Sequence, residues 1–345
     1  MPFCGACGAP SETSAPCPAC GFDPAPLPVR TLTFRCEAQG FPLLVLCLKT
    51  LLLSILTLGI YSFWGRTEIK RYLHHETFAG EDRFAWHGTP RELLIGWLKG
   101  MAILIVFYGI FFALTLTGSE WVRVGAVVFL YFGILGLVPL IIVGSQRYRL
   151  SRTSLRGIRF SSTARLGEFY KLYFKGIGLT LVTFGFYSPY FANNLYAYLT
   201  RNSKYGDENF AYDGKGGELL GSYIAAIFLL LPTLYTIMFW YLARQTRHFY
   251  NHTTFQQARF ECTIRGRQIL WLMFSNAFLI VITLGIYYPW AVIRAARLAA
   301  RTVRLSGYFD LDKVRQRIDS QATATGEEIG AVLDVDADIG GAFGL

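Results

Sequence analysis

Of 345 residues, 53% are hydrophobic and 16% charged, with a net charge of +10 and a mean hydropathy of +0.35. Soluble domains carry roughly 25% charged residues, so a chain this long and this apolar cannot clothe a water-facing surface and must turn much of itself to lipid. The basic excess suits cytoplasmic loops and anionic lipid headgroups; nucleic-acid binding is disfavoured because no basic recognition module is present.

The chain starts with Cys4-Gly-Ala-Cys7 and, after nine residues, Cys17-Pro-Ala-Cys20. Each pair forms a tight knuckle with both sulfurs facing one point, and two knuckles complete a tetrahedral zinc site. Residues 1–23 therefore read as a zinc ribbon, weighed against a redox pair. Four ligands leave no open position, which makes the Zn2+ structural, and reduced thiols place this head in the cytoplasm. Cys36, Cys47 and Cys262 read as apolar filler. Pro24, Pro26 and Pro28 stiffen a linker over 24–31, and no cleavable signal peptide is expected.

Six continuous apolar runs follow: Leu43 to Trp64, Leu93 to Leu116, Gly125 to Val143, Tyr170 to Tyr187, Leu219 to Leu242, and Ile269 to Tyr288. About 20 apolar residues cross a bilayer as a helix, and only helices or closed barrels satisfy their backbone there. The runs do not alternate, so the expected fold is an all-α polytopic membrane protein headed by the ribbon.

Internal repetition organises these runs. Thr57-Leu-Gly-Ile-Tyr61, Thr183-Phe-Gly-Phe-Tyr187 and Thr283-Leu-Gly-Ile-Tyr287 each close an apolar run and lead into Ser62-Phe63-Trp64, Ser188-Pro189-Tyr190 and Tyr288-Pro289-Trp290. Phe84-Ala85-Trp86 with Glu92 matches Phe210-Ala211-Tyr212 with Glu218, and Arg147, Thr153 and Arg159-Phe160 match Arg247, Thr253 and Arg259-Phe260. This gives a repeat-built domain over 32–312, with copies near 32–146, 147–246 and 247–312. Gly59, Gly185 and Gly285 permit a bend or close packing, Pro189 and Pro289 end or kink a helix, and Tyr61, Tyr187 and Tyr287 suit an interfacial belt. Two readings stand: structural helix ends at the interface, or three bent ends lining a shared cavity.

These Thr-Leu-Gly-Ile-Tyr repeats with Pro-Trp, the aromatic-glycine loops and the Arg-Phe segments resemble the YjgN-like family (domain of unknown function 898). The resemblance covers roughly Leu32 to Asp312 and leaves the ribbon as an addition. It implies a bacterial inner-membrane location and carries over no activity and no catalytic residue.

Topology is contested by charge. The stretches around Arg66 to Arg91, Arg147 to Arg165, Arg244 to Arg267 and Arg294 to Arg304 are all basic, yet six crossings would put some of them outside. One resolution makes the motif helices interfacial or re-entrant; another lets Pro232 break the fifth run into a hairpin. Both termini are expected in the cytoplasm.

Lys49 and Lys175 hold equivalent places in two apolar runs, either as cavity or lipid contacts or as snorkelling side chains. Arg294, Arg297, Arg301 and Arg304 fall at helical spacing, as a basic face for anionic lipid or for an acidic partner. His248 and His252 are four apart but lack the glutamate of a zincin and read as structural. Residues 313–345 form an acidic flexible tail. No nucleophile elbow or paired catalytic carboxylates occur, so no enzyme is expected. Three roles follow: a transporter, channel or lipid-handling protein; an adaptor whose ribbon recruits a protein partner; and, weakest, a membrane enzyme.

Overall fold

The computed structural model describes residues 30–116, 119–311 and 314; the cysteine quartet and nearly all of the acidic tail lie outside them. The chain alternates short strands with helix pairs. In order these are β1 (Arg30–Cys36), α1 (Gly40–Leu56), α2 (Ser62–His75), β2 (Thr77–Ala79), β3 (Asp82–Trp86), α3 (Pro90–Leu116), α4 (Glu120–Arg152), β4 (Thr153–Leu155) and β5 (Ile158–Ser162). There follow α5 (Leu166–Val182), α6 (Ser188–Arg201), β6 (Ser203–Tyr205), β7 (Glu208–Tyr212), α7 (Gly217–Leu229), α8 (Ile237–Asn251), β8 (Thr253–Phe255), β9 (Gln257–Cys262), α9 (Gly266–Ile282), α10 (Tyr288–Thr302) and β10 (Val303–Tyr308).

The ten strands form one closed antiparallel barrel. The all-α expectation is thereby overturned. Four of the ten strands are only three residues long, below the length of about four to eight over which alternation registers in a sequence. Their pairing is completed only where β1 meets β10 at the two ends of the described chain.

The order strand–helix–helix–strand occurs five times, and we number the units one to five. Within each unit the two strands pair at an equivalent register: Phe34 opposite Ala79, Phe84 opposite Leu155, Phe160 opposite Tyr205, Phe210 opposite Phe255, and Phe260 opposite Leu305. The five phenylalanines are spaced 50, 76, 50 and 50 residues apart. The 26 additional residues of unit two lengthen its helices to 27 and 33 residues, against 17 and 14 in unit one. Nine positions after each phenylalanine a large apolar side chain locks the first helix to the ring: Leu43, Leu93, Phe169, Leu219 and Ile269 are all buried.

Antiparallel pairing around a closed ring sends all five helical hairpins out of one end and all strand turns out of the other. Alternation within the strands puts Ala258, Phe260 and Cys262 inward and leaves Arg259 exposed outside. On the outer wall Arg304 bridges Glu261 at 2.7 Å and Arg156 bridges Asp82 at 3.4 Å. At the junction of helix and strand, Thr77, Thr153, Ser203 and Thr253 each donate a hydroxyl back to a last-turn carbonyl at 2.8–2.9 Å, satisfying acceptors that a helix end leaves free.

At three of the five joints an aromatic packs on a glycine: Tyr190 on Gly216, Trp240 on Gly266 and Trp290 on Gly40. A Cβ at Gly266, the start of α9, would lie 2.7 Å from the Cα of Trp240 in α8. A Cβ at Gly40 would lie 2.1 Å from the Trp290 indole, so α10 seats on α1 and the ring closes as it propagates.

The distal tips explain the repeated motif. Leu58, Phe184 and Leu284 have φ near +50° and the following Gly59, Gly185 and Gly285 +92°. Each glycine N–H donates five residues back, to Ser54, Thr180 and Ile280, at 2.7–2.8 Å, the Schellman closure of a helix. The motif threonine then accepts from the tyrosine N–H: Tyr61 to Thr57 at 2.9 Å, with Tyr187 and Tyr287 at 3.0 Å. Unit four makes the same turn at Thr233-Leu234-Tyr235, where Tyr235 N–H donates to Leu230 at 2.8 Å. That copy carries neither the glycine nor the Pro-Trp.

Four of the six apolar runs thus reach a tip at which the chain folds back. Only α3 and α4 are long and apolar enough to cross a bilayer, among the described residues.

Candidate functional site: an axial cavity

Inside the ring, where the helices leave the strands, lies a cavity of about 450 Å³. Its lower wall is the barrel interior, with Phe34, Phe84, Phe160, Phe210, Phe255 and Phe260. Past β10 the chain turns under the barrel: Phe309 and Val314 are buried in the same apolar cluster, Leu311 reaches the cavity, and Asp310 N–H donates to Gln256 at 2.8 Å. The end of the barrel away from the helices is stoppered in this way.

The upper wall is polar on one side. Lys70 and His74 of α2, Gln146 and Arg149 of α4, and Tyr196 and Thr200 of α6 face the space. No acidic residue lines it among the described residues. Lys70 is only 8% exposed and sits 5.2 Å over the Trp86 ring, a cation–π contact that offsets part of its lost hydration. His74 packs on the same indole at 4.9 Å. Gln146 donates its amide to Leu199 O at 3.1 Å and to Ser203 Oγ at 2.9 Å, while its buried Oε1 has no protein partner. Burial pushes the Tyr205 phenol up to about 12, so it stays protonated and donates to Leu155 O at 2.9 Å. The chamber combines an aromatic wall with a cationic, hydrogen-bonding rim.

The residues singled out in the sequence lie elsewhere. Lys49 bridges Glu68 across its own hairpin at 3.2 Å, and Lys175 is exposed on α5. Neither lines the cavity. Lys99 holds the same position in unit two, six residues past the buried Leu93, and was legible by that offset. Gly59, Gly185 and Gly285, with Tyr61, Tyr187 and Tyr287, belong to the distal tips, and Pro189 and Pro289 are buried at the starts of α6 and α10. The three motifs do not meet around a shared space.

The arginine series divides. Arg294 donates to Asn276 at 2.8 Å and Ser275 at 3.1 Å, and Arg297 donates to Ala38 O. Arg301 is exposed, and Arg304 belongs to β10 rather than to the helix. Lys70, Gln146 and Arg149 were missed as site residues; each lies seven or four positions before the first residue of β2 or β4, a signal readable only once the unit is known.

A family model described as "Bacterial protein of unknown function (DUF898)" matches residues 31–240 and 220–332. The inner membrane protein YjgN of Salmonella typhimurium is 30% identical over 131 residues, 38% of this chain and 30% of that protein. YjgN of Escherichia coli strain K12 is 30% identical over 141 residues, 40% of this chain and 33% of its own length. The match thus spans about a third of the length of these relatives. No solved structure matches.

Proposed function

The chain belongs to the DUF898 family of bacterial proteins of unknown function, and its named relatives are inner-membrane proteins; from this premise we propose that it too lies in the inner membrane and handles lipid, binding one amphipathic anion in the axial cavity. The ring stands at the cytoplasmic face and the hairpins dip into the bilayer. The 17-residue α1, α5 and α9 are about 25 Å long at 1.5 Å per residue, short of the roughly 30 Å core, so they re-enter. The long hairpin of unit two crosses and returns. Every basic stretch then lies at ring level on one side, which removes the charge conflict, and both termini share the cytoplasm. The cysteine quartet Cys4, Cys7, Cys17 and Cys20 serves as a structural zinc head there.

The observation that carries the reading is the cavity itself. Its volume lies in the range of small-molecule sites. Its aromatic wall suits an alkyl chain, whose burial contributes about 0.8 kcal/mol per methylene. Lys70 and Arg149 at the rim suit an anionic headgroup.

The test is the lipid content of the protein purified in mild detergent, extracted and identified by mass spectrometry. Leu155→Phe with Leu305→Phe narrows the chamber, using the residue that Phe255 places at the equivalent register. Lys70→Met with Arg149→Met removes the charges. One acidic lipid or fatty acid per wild-type chain is expected, falling at least about tenfold in both double variants. Equal content in wild type and the narrowed variant refutes the proposal.

A further inference from the structure

Unit four carries a cluster that the axial cavity does not use. Glu218 opens α7, His248 lies in the last turn of α8, and His252 caps that helix. One carboxylate oxygen, Glu218 Oε2, lies 3.5 Å from His248 Nδ1 and 3.4 Å from His252 Nε2. Donor atoms of all three residues fall within 4.8 Å of one another. We propose that Glu218, His248 and His252 form a divalent metal site, zinc by preference.

The two glutamate–histidine spacings are close to what the metal requires. Zinc bonds of about 2.0–2.1 Å at tetrahedral angles set ligand atoms about 3.3–3.4 Å apart. Histidines four residues apart present two nitrogens to one point beside a helix. Both imidazoles have their other nitrogen engaged. His252 Nδ1 meets Asp213 Oδ1 at 2.7 Å, and Asp213 is held in turn by Arg259 at 2.8 Å. His248 Nε2 meets the Asn193 oxygen at 3.3 Å. That oxygen also accepts from Tyr212 OH at 2.6 Å, and the Asn193 amide donates to Gly214 O at 3.1 Å. Acceptors on the far nitrogen fix ring orientation and tautomer in metal-bound histidine, and here both rings have one.

The equivalent places in other units show what the fold alone asks for. The residues just before β4, β6 and β8 are Arg152, Asn202 and His252, and Tyr148 and Tyr198 stand where unit four has His248. In unit two Arg152 bridges Glu92 at 2.9 Å. In unit three Glu168 accepts from Tyr198 OH at 3.2 Å. An arginine latch or a tyrosine hydrogen bond therefore joins the helices well enough, and unit four has put two imidazoles in their place.

The His248 side chain is 7% exposed, while those of His252 and Glu218 are 25% and 52% exposed. Three protein ligands and one open side leave a fourth position for water, unlike the closed four-cysteine site expected at the N-terminus.

The test uses the full chain in detergent with Cys4, Cys7, Cys17 and Cys20 changed to Ser, so that the ribbon takes no metal. Equilibrium dialysis against Zn2+ is expected to give one ion per chain. His248→Ala should weaken affinity at least about 100-fold and Asn193→Ala about 10–100-fold. His252→Arg, which installs the residue of unit two, should keep the melting temperature and abolish binding. Co2+ should give ligand-field absorption without sulfur-to-metal charge transfer. No stoichiometric zinc in the serine background, or equal affinity in a folded His252→Arg variant, overturns the site. Lipid content is measured on the same samples; it should not change with His252→Arg, so the two proposals fail separately.

Discussion

Arg297 donates to the backbone carbonyl of Ala38, 259 positions away in sequence, as Arg147 donates to that of Ala164 only 17 positions on. An arginine six positions before the following strand thus serves a local joint in unit two and, in unit five, the joint that closes the ring. Hydrogen bonds from charged donors contribute about 1.5–3 kcal/mol. Arg297→Met should therefore loosen closure specifically. Hydrogen exchange should accelerate in β1 and β10, while Arg147→Met should affect β4 and β5. Equal, diffuse acceleration by both would argue against a distinct closing seam.

The glycine joints offer a second measurement. At Gly266 an added methyl meets the Trp240 backbone, which cannot swing aside, whereas at Gly125 nothing lies within 4 Å. Gly266→Ala should cost about 1–3 kcal/mol through overpacking and Gly125→Ala close to nothing. Thermal unfolding in detergent separates the two.

The exposed tips make a prediction about the bilayer. Leu58, Phe184 and Leu284 are 93–94% exposed and held at positive φ, a region that costs a side-chain-bearing residue about 1–2 kcal/mol. Glycine would be the easier choice for the turn, so an apolar side chain there is retained against a backbone cost. In a cysteine-free background, a fluorophore on Leu284→Cys should be quenched by brominated lipid and shielded from iodide. One on Gln256→Cys, in the strand turn at the opposite end, should behave inversely. The double change Leu58→Gly with Leu284→Gly should weaken vesicle insertion without lowering the melting temperature.

Acid should destabilise the ring through His87. Burial comes first, then the charges of Arg159, Arg152 and Arg71, and together they hold its pKa below the usual imidazole value. The folded state thus binds this proton less readily than the unfolded chain. Its stabilisation is complete above about pH 6.5 and fades as pH falls through the lower native value. His87 is only partly covered, with its Nε2 against Ser154 Oγ at 2.8 Å, so the slope should be shallow. The melting temperature should decline on acidification in wild type and less steeply in His87→Gln.

The apolar runs were legible because burial in lipid needs only composition and length. Thr57, Thr183 and Thr283 with their glycines marked three of the tips. Thr233-Leu234 escaped because Tyr235 replaces the glycine, although it stands 50 residues from both neighbouring copies. The barrel was not legible at all. Segments such as Thr153-Ser-Leu155 or Ser203-Lys-Tyr205 are three residues long, and their pairing energy comes from partners across the ring. His248 and His252 were seen as a pair, but Glu218 lies thirty residues before His248 and reaches it only through the α7–α8 hairpin. Lys49 does not reach the cavity, because an offset in sequence identifies an equivalent position without saying which way the side chain turns.

The pairing of Arg30 with Gly307 sets β1 and β10 side by side, so the ring itself has neither a first nor a last strand. A circular permutant that keeps residues up to 314, joins them to Arg30 through a flexible linker and is opened instead at Gly206-Asp207 should assemble the same barrel. The five units would then be written in the order four, five, one, two, three, and the long hairpin would move from second place to fourth.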